Sequence, residues 1–173
     1  VAMFEKSFAE RFGVRHAVAV NSGGSALFLA LWTLGIRQGD EVIVPTLTFH
    51  ATATPLLQIG ATPVFCDCEP DTGNIAPVEI KKRITPRTKA IALTHLCGHP
   101  CEMDAIMALG KAHRIPVIED CSHAHGATYN GRKIGTHADI AIFSMDNKKM
   151  LATGEGGVLV TDELAYFEGA LLT

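Results

Sequence analysis

The sequence lacks the features that mark several large classes of protein. No run of lysine and arginine is dense enough for a nucleic-acid or membrane surface, and the net charge of −3 with a pI near 6.2 agrees with this. The apolar stretch at residues 26–34 is too short to span a bilayer. Neither a Walker loop nor a dinucleotide-binding glycine pattern is present. We therefore expect no nucleic-acid partner, no membrane and no common nucleotide-binding loop.

The sequence also lacks a recognisable disulfide or zinc framework. Five cysteines are an odd number scattered among apolar segments, which favours reduced thiols in a cytoplasmic protein. His95, Cys97, His99 and Cys101 alternate along one row, but this spacing matches no usual structural zinc site and Pro100 interrupts it. We predict no metal.

Short strands and helices alternate along the whole chain. The 173 residues are 47% hydrophobic with a mean hydropathy of +0.21, which suits a single core. The apolar run at residues 89–96 is typical of a strand buried on both faces, as in a parallel sheet. We predict one α/β domain over residues 1–173, a mainly parallel central sheet flanked by helices. Strands are predicted at residues 16–20, 41–45, 61–67, 89–96, 116–120, 138–143 and 157–161, helices at residues 2–12, 26–34, 51–59, 77–84 and 104–113, and a hairpin turn at residues 129–133.

A glycine turn between a strand and a helix, at residues 21–25, is the first candidate site. Its glycines, Gly24 among them, let a ligand approach the backbone, and the free N–H groups of a first helical turn attract anions. Ser22 and Ser25 add hydroxyl donors. A plain serine N-cap explains the same residues, so both interpretations stay open from this stretch alone.

The stretch at residues 143–157 is the second candidate. An apolar run ends at Ser144, and Lys148 and Lys149 follow before a glycine-rich turn. A lysine held at the mouth of a sheet, partly desolvated and near other cations, can lose its proton and form a Schiff base with a carbonyl. The alternative is a pair of solvated loop lysines.

Two further strand ends carry chemistry. Phe49 follows a strand, where its ring either covers a flat ligand or belongs to the core. Asp120 ends another strand and is followed by His123 and His125; its carboxylate either contacts a ligand or caps the next helix.

Pyridoxal 5′-phosphate is a cofactor that uses all four of these features. It has a phosphate for the helix N-terminus, a flat ring for Phe49, a pyridine nitrogen for Asp120 and an aldehyde for Lys149. Together the four strand ends favour a site for this cofactor.

Six segments then carry a family resemblance: NSGGSAL at 21–27, DEVIVP at 40–45, GATPVF at 60–65, ITPRTKAI at 84–91, VIED at 117–120 with His123 and Gly126, and GEGG at 154–157. In these segments the sequence resembles the DegT/DnrJ/EryC1/StrS family, which are pyridoxal-phosphate-dependent sugar aminotransferases of fold type I. The resemblance extends from about residue 4 to residue 161.

The resemblance implies two catalytic residues, Lys149 as the Schiff-base lysine and Asp120 as the partner of the pyridinium nitrogen. It implies further cofactor contacts from residues that hold the phosphate, cover the ring or approach its hydroxyl: Gly24, Ser25 and Ser144 for the phosphate, Phe49 for the ring and His123 for the hydroxyl. Because a branch of the family that dehydrates sugars carries histidine in place of Lys149, transamination is favoured.

The sequence departs from the family pattern at several positions. Gly24 stands where threonine is usual, residues 145–147 replace an aromatic and His/Pro residues, and Cys97 replaces a common tyrosine. Family members also have an N-terminal segment and a smaller C-terminal domain that lie outside residues 1–173. We therefore interpret the chain as the large, cofactor-binding domain.

The expected activity is transfer of an amino group, from glutamate, to a keto group of a nucleotide-linked sugar. The resemblance implies a homodimer with pockets at its interface, and the reduced thiols favour a cytoplasmic location. The alternative is a truncated, non-catalytic module that binds the cofactor, or nothing, and serves as a sensor or assembly partner.

Overall fold

The computed structural model describes residues 1–172, which form a sheet between two layers of helices. The strands are β1 (His16–Val20), β2 (Glu41–Pro45), β3 (Thr62–Cys66), β4 (Thr88–Thr94), β5 (Val117–Asp120), β6 (Thr128–Tyr129), β7 (Arg132–Lys133), β8 (Ile140–Ser144) and β9 (Gly157–Thr161). The helices are α1 (Ala2–Phe12), α2 (Gly23–Thr33), α3 (Thr54–Ile59), α4 (Pro77–Arg83), α5 (Met103–His113) and α6 (Leu164–Leu171). None of these helices is long and apolar enough to cross a membrane.

The main sheet has seven strands in the order β1-β9-β8-β5-β4-β2-β3. Strands β8, β5, β4, β2 and β3 pair in parallel, whereas β9 pairs antiparallel with both β8 and β1. The predicted α/β class with a mainly parallel sheet is confirmed. In such sheets the carboxyl ends of the parallel strands meet at one edge, which is where ligands bind.

Each face of the sheet buries a separate core. One core packs α1, α4 and α5 against the sheet, and the other packs α2, α3 and α6 against the opposite face. In the first, Phe8 stacks on Phe12 at 4.4 Å between ring centroids, and Phe12 lies 4.6 Å from Phe143 of β8. Helix α1 is therefore bound to a strand that leads directly to the predicted lysine site.

Two predicted helices differ from the structure by more than one residue at a boundary. Helix α2 begins at Gly23, three residues earlier than predicted, because the Ser22 side chain caps it by accepting from the Ser25 N–H. The helix predicted at residues 51–59 is divided into a 3₁₀ turn, His50–Thr52, and α3. Pro55 lies in the first turn of α3, where a missing N–H costs nothing.

Each of the two edge strands is hydrogen-bonded to a charged side chain. On β1, Glu5 Oε1 accepts the Ala19 N–H at 2.8 Å. On β3, Arg83 Nε donates to the Phe65 carbonyl at 2.7 Å. Each bond satisfies a backbone group that faces away from the sheet.

Candidate active site

A cavity of about 590 Å³ opens at the carboxyl ends of the parallel strands. Its walls come from the segments that follow β1, β2, β4, β5 and β8. Six of the seven sequence-predicted site residues line it: Gly24, Phe49, Asp120, His123, Ser144 and Lys149. The fold thus brings together groups that are far apart in the sequence.

The N-terminus of α2 forms one wall of this cavity. Ser22 accepts the Ser25 N–H at 3.1 Å, and no partner within residues 1–172 accepts the N–H groups of Gly23 and Gly24. Free N–H groups at a helix N-terminus suit a phosphate. Ser25 is the predicted residue that does not line this cavity: its hydroxyl lies 3.0 Å from that of Ser22, and it faces an adjoining cavity of about 770 Å³.

Close backbone packing holds this helix end against the sheet. A Cβ added at Gly23 would lie 2.6 Å from Ser144 Cβ, and one added at Gly157 would lie 2.2 Å from the Ser22 carbonyl oxygen. A Cβ at Gly24 would meet only Ser22 Oγ, at 3.8 Å. The structure therefore requires glycine at positions 23 and 157 but leaves room at Gly24, where the family usually has threonine.

We predict that Gly23→Ala lowers the free energy of unfolding by about 1–3 kcal/mol, because the added methyl group forces α2 away from Ser144. Gly24→Ala is the matched control one residue later, and its stability should equal that of the wild type or exceed it slightly. Urea unfolding of both variants measures the difference. Equal losses at the two positions would contradict the packing described here.

Asp120 presents one carboxylate oxygen to the cavity. Its Oδ1 accepts the Ser122 N–H at 3.0 Å, and in the described chain no hydrogen-bond donor reaches Oδ2. The Ser122 hydroxyl in turn accepts the Ser144 N–H at 3.1 Å. Asp120 is thus oriented from one side by the turn that follows it, which leaves Oδ2 for a ligand.

His123 contributes a neutral imidazole. Burial lowers its pKa, and the nearby Lys149 ammonium lowers it further, against the opposing effect of Asp120. Its Nδ1 is buried without a hydrogen-bond partner in residues 1–172. A buried polar atom of this kind is costly unless a ligand or water pairs with it.

The two adjacent lysines differ in exposure. Both lie in the loop between β8 and β9 and line the cavity, but Lys148 is exposed and Lys149 is half-buried. A turn around Asp146 fixes both backbones: its Oδ1 accepts the Lys148 N–H and its carbonyl accepts the Lys149 N–H, each at 2.9 Å. Of the two, Lys149 is the better placed to be partly desolvated.

Phe49 is not part of the core. It is 62% exposed, and its ring lies 4.1 Å from that of His50, which is also exposed. Of the two interpretations drawn from the sequence, the structure supports a ring that faces the cavity.

The row of His and Cys residues from His95 to Cys101 does not converge on a metal site. The potential ligands that do converge within residues 1–172 are His95, Glu119 and Cys121, all buried and within 4.8 Å of one another. Glu119 already accepts His95 Nε2 at 3.1 Å and three backbone N–H groups at 2.7–2.9 Å. Burial also raises the pKa of the Cys121 thiol well above its ordinary value, so the sulfur is a poor metal ligand.

Burial alone would raise the pKa of Glu119. Hydrogen bonds from His95 and from the N–H groups of Gly135 and Ala138 outweigh this effect, so the pKa lies below its ordinary value. His95 Nδ1 accepts the Cys101 N–H at 3.0 Å, which leaves the hydrogen on Nε2 to be donated to Glu119. The group is a satisfied hydrogen-bond network beneath the cavity.

Several cavity residues were not predicted from the sequence. Ser122 links Asp120 to Ser144, and three threonines line the cavity floor: Thr48, Thr52 and Thr94. Thr94 could have been predicted from the sequence, because it ends a buried strand as Asp120 does. Thr48 and Thr52 could not, since they lie outside the strands.

With this geometry established, comparison with known proteins identifies the relatives of the chain. The model of the DegT/DnrJ/EryC1/StrS aminotransferase family matches residues 1–171. The chain belongs to this family. One relative is the GDP-perosamine synthase of Escherichia coli O157:H7, 44% identical over 171 residues, an alignment that covers 99% of this chain and 47% of the synthase. The chain thus spans about half the length of the curated relatives it matches.

Solved structures of family aminotransferases have the same fold. The aminotransferase from Psychrobacter cryohalolentis superimposes with a TM-score of 0.96 at 44% identity, over 98% of this chain and 43% of that protein. NtdA of Bacillus subtilis, solved with bound cofactor PMP (pyridoxamine 5′-phosphate), gives a TM-score of 0.92 at 33% identity, over 98% of this chain and 38% of NtdA. The fold is that of the pyridoxal-phosphate-dependent aminotransferases.

Proposed function

We propose that the cavity binds pyridoxal 5′-phosphate and that the protein transfers amino groups. One observation carries this proposal: four kinds of group line the same cavity. They are a helix N-terminus with free N–H groups, an exposed phenylalanine, a carboxylate with one unpaired oxygen and a half-buried lysine. The unpaired His123 Nδ1 offers a hydrogen-bonding atom to a ligand, and the space beside Gly24 leaves room for one.

The residues of the chain fit the parts of this cofactor. Gly24, at the start of α2, and Ser144, at the end of β8, would hold the phosphate, with Ser25 acting through the Ser22 hydroxyl to which it is bonded. Phe49 would cover the ring, Asp120 Oδ2 would accept the pyridinium N–H, and His123 Nδ1 would pair with the ring hydroxyl. Bound there, the cofactor supplies an electron sink for the bonds around the carbon that carries the amino group.

Lys149 has two roles in the proposal. Its Nζ would hold the cofactor by condensing with the aldehyde, with loss of water, and once free it would take a proton from the substrate carbon and return it. The turn at Asp146 keeps the Lys149 backbone fixed while the long side chain moves. The Asp120 carboxylate would accept a hydrogen bond from the ring nitrogen and so favour its protonated form.

The substrates proposed are glutamate as amino donor and a nucleotide-linked keto-sugar as acceptor. The name of the GDP-perosamine synthase relative supports a nucleotide-linked sugar. Following the family resemblance, we further propose that residues 1–173 are one cofactor-binding large domain and that the protein acts as a cytoplasmic homodimer.

Reductive trapping tests the cofactor. The protein is mixed with pyridoxal 5′-phosphate, treated with borohydride and digested, and the peptides are mapped by mass spectrometry. A pyridoxyl group on Lys149 is the expected result. A folded protein that gains no label, or that is labelled only on exposed lysines such as Lys148, would contradict the proposal.

We predict that Asp120→Asn slows amino transfer from glutamate to the cofactor by about a hundredfold, because an amide cannot stabilise a charged ring nitrogen. The amide oxygen can still accept the Ser122 N–H, so the fold should be kept. Asp71→Asn, at an exposed carboxylate in a distant turn, is the control. Single-turnover absorbance measurements give the rate, and an unchanged rate in Asp120→Asn would remove the role assigned to this carboxylate.

A further inference from the structure

Three threonine hydroxyls meet at the floor of the cavity. Thr48 Oγ1 lies 2.8 Å from Thr52 Oγ1 and 3.0 Å from Thr94 Oγ1. Thr52 and Thr94 are almost fully buried, at 1% and 4% exposure, and all three residues line the cavity. We name Thr48, Thr52 and Thr94 the threonine cluster. Each hydroxyl has another member as its close partner, so the cluster joins the elements on which its members lie.

The cluster ties the segment that carries Phe49 to the central sheet. Thr48 immediately precedes Phe49, and Thr52 ends the 3₁₀ turn that follows it. Thr94 is the last residue of β4. The Phe49 carbonyl accepts the Thr52 N–H at 3.0 Å, which closes the turn around this residue. Hydroxyls on both sides of Phe49 are therefore held by one residue of the sheet.

Phe49 has little other support. Its side chain is 62% exposed, and within residues 1–172 the aromatic ring that it contacts is that of the exposed His50. Before it, the backbone is bound to the sheet at Thr46, whose N–H donates to the Cys66 carbonyl at 2.9 Å. A ring that is not packed in a core takes its position largely from its backbone, and the cluster holds that backbone on both sides of Phe49.

Thr94 also connects this segment to Asp120. The two residues are paired in register on the adjacent parallel strands β4 and β5. Residues paired in this way have their side chains on the same face of the sheet. Thr94 thus contacts the segment that carries Phe49 and also lies beside Asp120, so it fixes the distance between the two.

We propose that the threonine cluster positions Phe49 relative to Asp120 and thereby sets the affinity of the cavity for a flat aromatic ring, separately from its affinity for phosphate. The inference rests on the proposed function, since the ring concerned is that of the cofactor. The three threonines are positioning residues that act through Phe49, whereas the phosphate is held by α2 on another wall.

Two probes separate the ring from the phosphate. Pyridoxamine 5′-phosphate has the ring and the phosphate but no aldehyde, so its binding does not depend on a bond to Lys149. Inorganic phosphate reports on the helix N-terminus alone. Dissociation constants for both are measured by calorimetry on the whole chain, and a thermal unfolding scan accompanies each variant.

Thr94→Val removes the hydroxyl with little change of shape. We expect it to weaken pyridoxamine 5′-phosphate about tenfold and to leave phosphate binding unchanged. Thr94→Ser, which keeps the hydroxyl, should bind within about twofold of the wild type. Thr88→Val, at the opposite end of the same strand, is the matched control and should change neither affinity. If Thr94→Val does not fold, the same measurements are made on Thr48→Val, since Thr48 is the less buried residue of the threonine cluster.

A double-mutant cycle tests whether the effect passes through Phe49. In a Phe49→Ala background, Thr94→Val should have almost no further effect on pyridoxamine 5′-phosphate, because the ring it positions is gone. Additive losses would overturn the proposal. So would wild-type affinity in Thr94→Val, or an equal loss of phosphate and pyridoxamine 5′-phosphate. If the wild type binds phosphate but not pyridoxamine 5′-phosphate, the proposed function itself is overturned and the inference with it.

Discussion

The Lys149→Ala variant is expected to lose amino transfer by at least about a thousandfold and to gain no pyridoxyl label on borohydride treatment. Two losses combine, because in the proposed function the same amine holds the cofactor aldehyde and carries the proton during transfer. The fold should be kept, since within residues 1–172 the Lys149 backbone forms a hydrogen bond and its side chain forms none. Stopped-flow absorbance with glutamate and mapping of the reduced protein provide the two measurements.

Lys148→Ala is the matched control for this prediction. Lys148 lies in the same loop and borders the same cavity, but it is exposed. Its replacement should leave the label on Lys149 and change the rate by less than about threefold. If the label and the activity are lost with Lys148 and kept without Lys149, the assignment of the two lysines is reversed.

Glu119→Gln is expected to lower the free energy of unfolding by about 3 kcal/mol at neutral pH. The Glu119 carboxylate accepts hydrogen bonds from His95 and from the N–H groups of Gly135, His137 and Ala138. A glutamine has one acceptor oxygen, so its NH₂ group must face one of these donors without pairing. Glu10→Gln, at an exposed position on α1, should change stability by less than about 0.5 kcal/mol.

The loss should depend on pH in a definite direction. The pKa of Glu119 is lower in the folded protein than its ordinary value of 4.5, so its ionised form stabilises the fold above that pH. As the pH falls through the folded-state pKa, the carboxylate is protonated and this contribution disappears. The difference between wild type and Glu119→Gln should therefore be full at neutral pH and shrink below about pH 4.5.

Urea unfolding at pH 7 and in acid measures both parts of this prediction. A difference between the two proteins that stays constant down to strongly acidic pH would show that Glu119 is not ionised in the fold. A difference near zero at neutral pH would show that the four hydrogen bonds do not hold the carboxylate.

The sequence predicted the fold class well because the strands are apolar on both faces. The runs that became β4 and β8 have no polar alternation, which is typical of strands covered by helices on two sides. Boundaries were harder to predict. The start of α2 depends on the Ser22 side chain, which either caps a helix or faces a ligand in the same pattern, and the sequence could not separate these roles.

Within the site, residues at strand ends were predictable and residues between elements were not. Asp120 and Ser144 end buried strands, and the register of the sheet brings them together. The threonine cluster depends instead on how the turn at His50–Thr52 approaches the end of β4, which is a tertiary contact that no local pattern encodes. The half-burial of Lys149 beside the exposed Lys148 likewise follows from the Asp146 turn rather than from residue type.

The charged side chains on the outer strands limit how this protein can associate. An open edge strand offers unpaired backbone groups to any extended segment, including the edge of another copy, and is a common route to aggregation. Glu5 occupies the Ala19 N–H on β1, and Arg83 occupies the Phe65 carbonyl on β3. An incoming strand would have to displace a charged group at either end of the sheet. Ordered association of two copies should therefore use helical or loop surfaces, and growth of the sheet across molecules is disfavoured.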